Sequence, residues 1–199
     1  MKVFFVGEGR HDLGRFHSGK HSRATSDEIG VLEAFLLRLK STDWSSGGGV
    51  QARDLRAFQS GRQLKPLAAK VAAAALQARE AGCSALVFVI DLDDPKYSHR
   101  VVDVEAGRGF VGSTDASLGM AVAVAVLSVD GWVLATLGDE GTEILPSEAG
   151  KAALEARSCG TTAQRSKAVL GADLAQLPND AKSLRGWLSQ VTVALQPAA

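Results

Sequence analysis

The chain is 199 residues long, 46% hydrophobic and 22% charged, and its 22 lysines and arginines balance 22 aspartates and glutamates. These figures describe a globular chain long enough to bury a core without disulfide or metal staples, and they exclude a disordered, collagenous or membrane-spanning protein. A net charge of zero also argues against a general basic coat for nucleic acid, while leaving room for a local basic patch.

Residues 3–6 form an apolar, β-favouring run that stops at Gly7. This pattern predicts a strand buried on both faces, and the run is too short for the hydrophobic region of a secretory leader. Residues 8–26 are polar and rich in Gly, His, Arg and Ser, and read as loop. Ser26, Asp27 and Glu28 mark a helix start, followed by Ile29, Leu32, Phe35, Leu36 and Leu39 at helical spacing. Residues 45–49 read as a flexible break and residues 50–58 as a weak strand. An Ala-rich helix is expected over residues 64–81, with Pro66 in its first turn and Gly82 as its cap.

Residues 85–90 give the strongest strand signal and end abruptly at Asp91-Leu92-Asp93-Asp94-Pro95. Residues 101–104 read as a short strand and residues 107–119 as loop. Residues 120–129 suit a buried strand but reach only about half the span of a bilayer. Residues 131–135 fit either a continued strand or a helix. Helices are expected over residues 146–158 and 180–193, the latter with Leu184, Trp187, Leu188 and Val191 on one stripe. Trp132 and Trp187 read as core residues. The cysteines, Cys83 and Cys159, have no metal-type spacing and do not read as a disulfide framework, which fits the expectation of a reducing cytoplasm.

Alternating strands and helices imply an α/β fold, a mainly parallel, Rossmann-like sheet flanked by helices. In such sheets the ligand site lies beyond the carboxyl ends of the strands. Two strands end in acids there, the first at Glu8 and a later one at Asp91 and Asp93. In an extended chain Asp91 and Asp93 point the same way. Converging carboxylates repel unless a cation neutralises them, and an oxygen-only set suits Mg2+ or Mn2+ rather than zinc. Glu8 is then a candidate general acid or base, or a further ligand. Gly7 and Gly9 would let a phosphate approach the backbone. Acids after a parallel strand also serve as caps and turn residues, the reading that suits Asp94.

The segments Val6-Gly7-Glu8-Gly9-Arg10-His11-Asp12 and Val89-Ile90-Asp91-Leu92-Asp93 resemble the Toprim domain. That superfamily includes primases, topoisomerases, small ribosomal-RNA maturases and the nuclease halves of OLD-type systems. The likeness is nearest to an uncharacterised bacterial Toprim-like family related to the last of these. The resemblance covers roughly residues 1–140. It implies a Toprim-like catalytic domain over 1–140 and a helical extension over 141–199 packed on it. It further implies Glu8 as the catalytic acid/base and Asp91, Asp93, Asp12 and Asp130 as the ligand set for Mg2+ or Mn2+, with Asp12 at a further acidic position of the family. Asp130, before Gly131 and Trp132, looks like a third acidic element, although the family's pattern there is Glu-Ala rather than Asp130-Gly131. The implied activity is metal-dependent phosphodiester hydrolysis of nucleic acid, DNA or RNA, in a setting of bacterial defence or mobile elements. The alternative is a non-catalytic module that binds nucleic acid or a partner ATPase.

Gly9, Arg10 and His11 are the candidate substrate-binding residues, with Arg15, Lys20 and Arg23 adding charge along the same loop. Arg53, Arg56, Arg62, Lys65 and Lys70 form a second basic series that reads equally well as a solvated face. His17 and His21 are four apart but in loop-like sequence, which argues against zinc. Gly107-Arg108-Gly109 is a weak phosphate-loop signal. No Walker motif and no serine-nucleophile elbow is present.

Overall fold

The computed structural model describes residues 1–18, 29–39, 44–56 and 64–196, with the side chains of His17 and Ser18 left out. The expected helix start at Ser26, Asp27 and Glu28, and the charged residues Lys20, His21, Arg23 and Arg62, lie outside the described residues. Four parallel strands, β1 (Lys2–Gly7), β2 (Ser45–Gln51), β3 (Ala85–Asp91) and β4 (Gly119–Ala125), form one sheet in the order β2-β1-β3-β4. The helices are α1 (Arg10–Leu13), α2 (Val31–Leu39), α3 (Pro66–Glu80), α4 (His99–Thr114), α5 (Val129–Thr136), α6 (Ser147–Ala156), α7 (Thr162–Gly171) and α8 (Lys182–Ala194). The fold is a Rossmann-like α/β fold.

Strand alternation divides the apolar side chains between two cores. Val3, Phe5, Val87, Val89, Ala121 and Ala125 face α2, α5, α7 and α8, while Phe4, Val6, Leu86, Phe88, Ile90 and Val122 face α3 and α4. Burial on both faces explains why β1 and β3 read as unbroken apolar runs. On the first face Trp132 and Trp187 stack at 5.1 Å, each essentially without exposure. Among the described residues no helix is long and apolar enough to cross a membrane.

Several local expectations give way to the fold. Residues 45–49 are edge strand β2 rather than a break. Its glycines answer to steric need, since a Cβ at Gly49 would stand 2.9 Å from both Phe16 Cβ and the Phe5 carbonyl oxygen. The weak strand expected over residues 50–58 ends at Gln51, where a short 3-10 turn, Ala52–Asp54, takes over. Residues 101–104 are the first turns of α4 and not a strand. Val101 and Val102 are exposed while Val104 and Val111 are buried against α3, so helical spacing overrides valine's β preference. The helix continues to Thr114, so Gly107, Arg108 and Gly109 lie on its surface and in its packing seam, not in a phosphate loop. The polar stretch after Glu8 holds α1 and a 3-10 turn, Arg15–Ser18. Residues 131–135 are helix, as part of α5.

The topology also fixes where a site can form. From β1 the chain crosses to β2 on the α2 face, then returns across α3 to β3 and onward across α4 to β4 on the opposite face. Right-handed crossovers impose this change of face when the chain reverses direction along a sheet. The connections leaving β1 and β3 therefore diverge, and a crevice opens beyond the carboxyl ends of these neighbouring strands.

Candidate metal centre

Glu8 and Asp91 stand on either side of that crevice, one just past β1 and the other at the last position of β3. With Asp93 they place three carboxylate oxygens within 4.8 Å of one another, and the group could hold a metal ion. Asp91 is held from two sides. Its Oδ1 accepts the N–H of Val129, the first residue of α5, at 2.8 Å, and its carbonyl oxygen accepts Arg100 Nη1 at 2.7 Å.

Asp93 joins the group by a route that alternation does not foresee. It lies beyond β3 with φ of 63°, in the left-handed region, so the extended geometry expected of Asp91-Leu92-Asp93 does not persist. Its N–H donates to the Leu127 carbonyl at 3.0 Å, and Leu127 is itself left-handed at φ 60°. Arg100 Nη1 then donates to Asp93 Oδ2 at 2.8 Å. Aspartate tolerates this conformation better than most residues, and Arg100, in the first turn of α4, fixes its direction. Asp94 is turn chemistry, its side chain capping Lys96 N at 2.9 Å.

The charges in the crevice oppose one another. Burial is the main cause that raises the Glu8 carboxyl above its usual range, with the charges of Asp93 and Asp12 adding to it and a backbone hydrogen bond from Asp91 pulling the other way. Asp91 is pushed well up, first by burial and then by Asp12 and Glu8. Such a set gains from a cation, and its all-oxygen donors suit a hard divalent ion.

Asp12 and Asp130, expected as further ligands, lie outside this group. Asp12 is buried beneath the turn after β1, and its Oδ2 accepts the N–H groups of Glu8 at 2.9 Å and Gly9 at 3.1 Å. Burial raises it to about 6 against those two hydrogen bonds. Asp130 Oδ1 accepts from Arg165 Nη1 of α7, a buried ion pair. The Asp130-Gly131 spelling also has a steric reason: a Cβ on Gly131 would stand 2.6 Å from the Thr142 carbonyl oxygen. His11 Nδ1 is 2.9 Å from Thr162 Oγ1, Arg10 is exposed at the start of α1, and Gly9 precedes that helix with open space where a Cβ would be.

Sequence reasoning misses Arg100 and Arg165. Arg100 carries a usable signal, since it lies in the turn following Asp-x-Asp-Asp-Pro, where a cation meets the acids. For Arg165 the clue is the Thr161-x-x-Gln164 capping box that starts α7, with Thr161 Oγ1 accepting Gln164 N–H at 3.3 Å.

Comparison with protein-family models, with curated proteins and with solved structures finds no match to this chain.

Proposed function

We propose that the chain is a metal-dependent phosphodiesterase acting on nucleic acid, with Asp91, Asp93 and Glu8 holding Mg2+ or Mn2+. The observation that carries this reading is the meeting of Glu8, Asp91 and Asp93 within 4.8 Å at the sheet's switch point. The resemblance of residues 6–12 and 89–93 to the Toprim signature supports it, and so does the oxygen-only donor set. The ion would neutralise charge on the phosphate and lower the pKa of an attacking water. Glu8, with its carboxyl raised by burial, is the group on this chain suited to accept or return a proton through its carboxylate oxygen. Asp91 is kept rigid by Val129 N–H and Arg100, and Arg100 also orients Asp93. Rigid placement of this kind is what an enzyme requires of groups that meet a transition state.

The test is cleavage of labelled DNA and RNA, single and double stranded, with Mg2+, Mn2+ or chelator. Cleavage that depends on the ion and falls at least about a hundredfold in Asp91→Asn and in Glu8→Gln is expected. Asp91→Asn keeps an acceptor for Val129 N–H, so folding is preserved. Ion-independent cleavage, or cleavage by both variants at the wild-type rate, would overturn the reading. Ion binding without turnover on any substrate would instead favour a non-catalytic module that serves a partner ATPase.

A further inference from the structure

We propose that the cleft beside Glu8, between the amino-terminal ends of α3 and α4, binds the phosphate next along a single nucleic-acid strand from the one at the acidic group; the inference rests on the nuclease reading. The cleft encloses about 540 Å3, and Glu8 forms its border with the acidic group. That volume is the size of a small-ligand pocket and too small to enclose a duplex.

The charge lining the cleft selects an anion. Arg53, Lys70 and Arg100 face it, along with the His99 imidazole. Besides Glu8 the lining holds one acid, Asp103, and Lys65 Nζ lies 3.1 Å from its Oδ1. Lys70 is braced toward the cleft by donating to the Ala52 carbonyl at 2.8 Å. Arg53 projects into solvent from the next residue, its Nε no nearer than 3.9 Å to Asp54. Arg100 belongs to both places, bonding Asp91 and Asp93 while lining the cleft. Leu67 and Ile90 supply an apolar floor that suits a sugar. A strand whose scissile phosphate meets the acids thus finds its next cations toward α3 and α4. On the α1 side, His11 is turned to Thr162 at 2.9 Å.

The probe is a short fluorescein-labelled single-stranded oligonucleotide, measured by anisotropy in chelator across a salt series. Arg53→Glu combined with Lys70→Glu is expected to weaken binding about tenfold or more and to flatten the log–log salt slope by about 0.7, the value for the one strand phosphate that no longer meets a cation. Arg53→Gln alone disturbs no backbone hydrogen bond and is expected to flatten it by less, because Lys70 and Arg100 still face the phosphate. Arg108→Glu, farther along α4 and outside the cleft, is expected to match the wild type. An unchanged slope in both cleft variants overturns the proposal. So does a wild type with no affinity for the strand, or one that binds a nucleoside monophosphate as tightly as the oligonucleotide. The same proteins assayed with Mn2+ separate the two readings. Binding through Arg53 and Lys70 without any cleavage sinks the nuclease and keeps the subsite, whereas equal cleavage and equal slopes in wild type and double variant do the reverse.

Discussion

The buried carboxylate of Asp12 accepts the backbone N–H of Glu8 at 2.9 Å, so one acid sets the position of another. The arrangement has a pH signature. Burial raises Asp12 from 3.8 to about 6. Between these values the folded chain holds a proton that the unfolded chain has released. Stability of the metal-free protein therefore falls as pH rises from about 4 to about 6, by an upper figure of about 3 kcal/mol from this group alone. Asp94 and Asp115, whose carboxyls are lowered, act only below this window. Denaturant melts of wild type and Asp12→Asn across the window test this. The variant is expected to show a flatter profile, since the amide oxygen can still accept from Glu8 and Gly9, and saturating Mn2+ is expected to narrow the wild-type fall. Parallel profiles for the two proteins would contradict the assignment.

Asp93 presents a conflict between conformation and chemistry. Its φ of 63° suits glycine, and its ion pair with Arg100 is half exposed and so contributes little to stability. Asp93→Gly is expected to melt no lower than the wild type, and up to about 1 kcal/mol higher in stability. It should nevertheless bind Mn2+ at least about tenfold more weakly, with two of the three carboxylates remaining. Calorimetric titration alongside thermal melts reads both quantities. A clear drop in melting temperature with undiminished Mn2+ affinity would show that Asp93 is structural.

The contrast between Asp91 and Asp93 also marks what the sequence can and cannot disclose. Asp91 ends a strand so apolar that strand, boundary and outward-facing acid are all legible from residues 85–91, and Glu8 after Val6-Gly7 is legible in the same way. Strand alternation picks out Asp93 for the wrong geometric reason. It converges through a left-handed turn and Arg100, neither of which has a period. The helix α8 buries one stripe and announces itself by spacing, whereas α3 is legible from its alanine-rich composition and Pro66. By contrast, α4 opens with exposed valines and carries three glycines, so local preference points away from helix, and packing on α3 decides the outcome. The capping box at Thr161 places Arg165 on a helix, but its partner Asp130 lies 35 residues away, a pairing set by tertiary structure.

Gly131 tests a smaller claim about that same segment. Alanine is the better helix former by about 1 kcal/mol. A Cβ here would press on the backbone oxygen of Thr142 at 2.6 Å, a clash that no side-chain rotation relieves. Gly131→Ala is expected to destabilise by about 1–3 kcal/mol despite the propensity gain. Urea unfolding measures it directly, and a stabilised variant would show that the segment containing Thr142 yields easily.

The ion pair of Asp130 with Arg165 ties α5 to α7 next to the acidic group, and both side chains are buried. Arg165 also donates through Nε to the Cys159 carbonyl at 3.1 Å. Burial raises the Asp130 carboxyl, and Arg165 is the strongest influence holding it down. Removing the cation alone therefore strands a carboxylate close to Asp12 and Asp91, both of which feel its charge. Arg165→Met is expected to cost about 3–5 kcal/mol at neutral pH. Asp130→Asn with Arg165→Met leaves no buried charge at this pair and is expected to cost less than the sum of the single variants by about 1–3 kcal/mol. Mn2+ should restore more stability to Arg165→Met than to the wild type, because the ion offsets the uncompensated charge. Chemical denaturation of the four proteins, with and without Mn2+, closes the cycle. Strict additivity would mean that the pair carries no coupling and that Arg165 acts only through its hydrogen bond to Cys159.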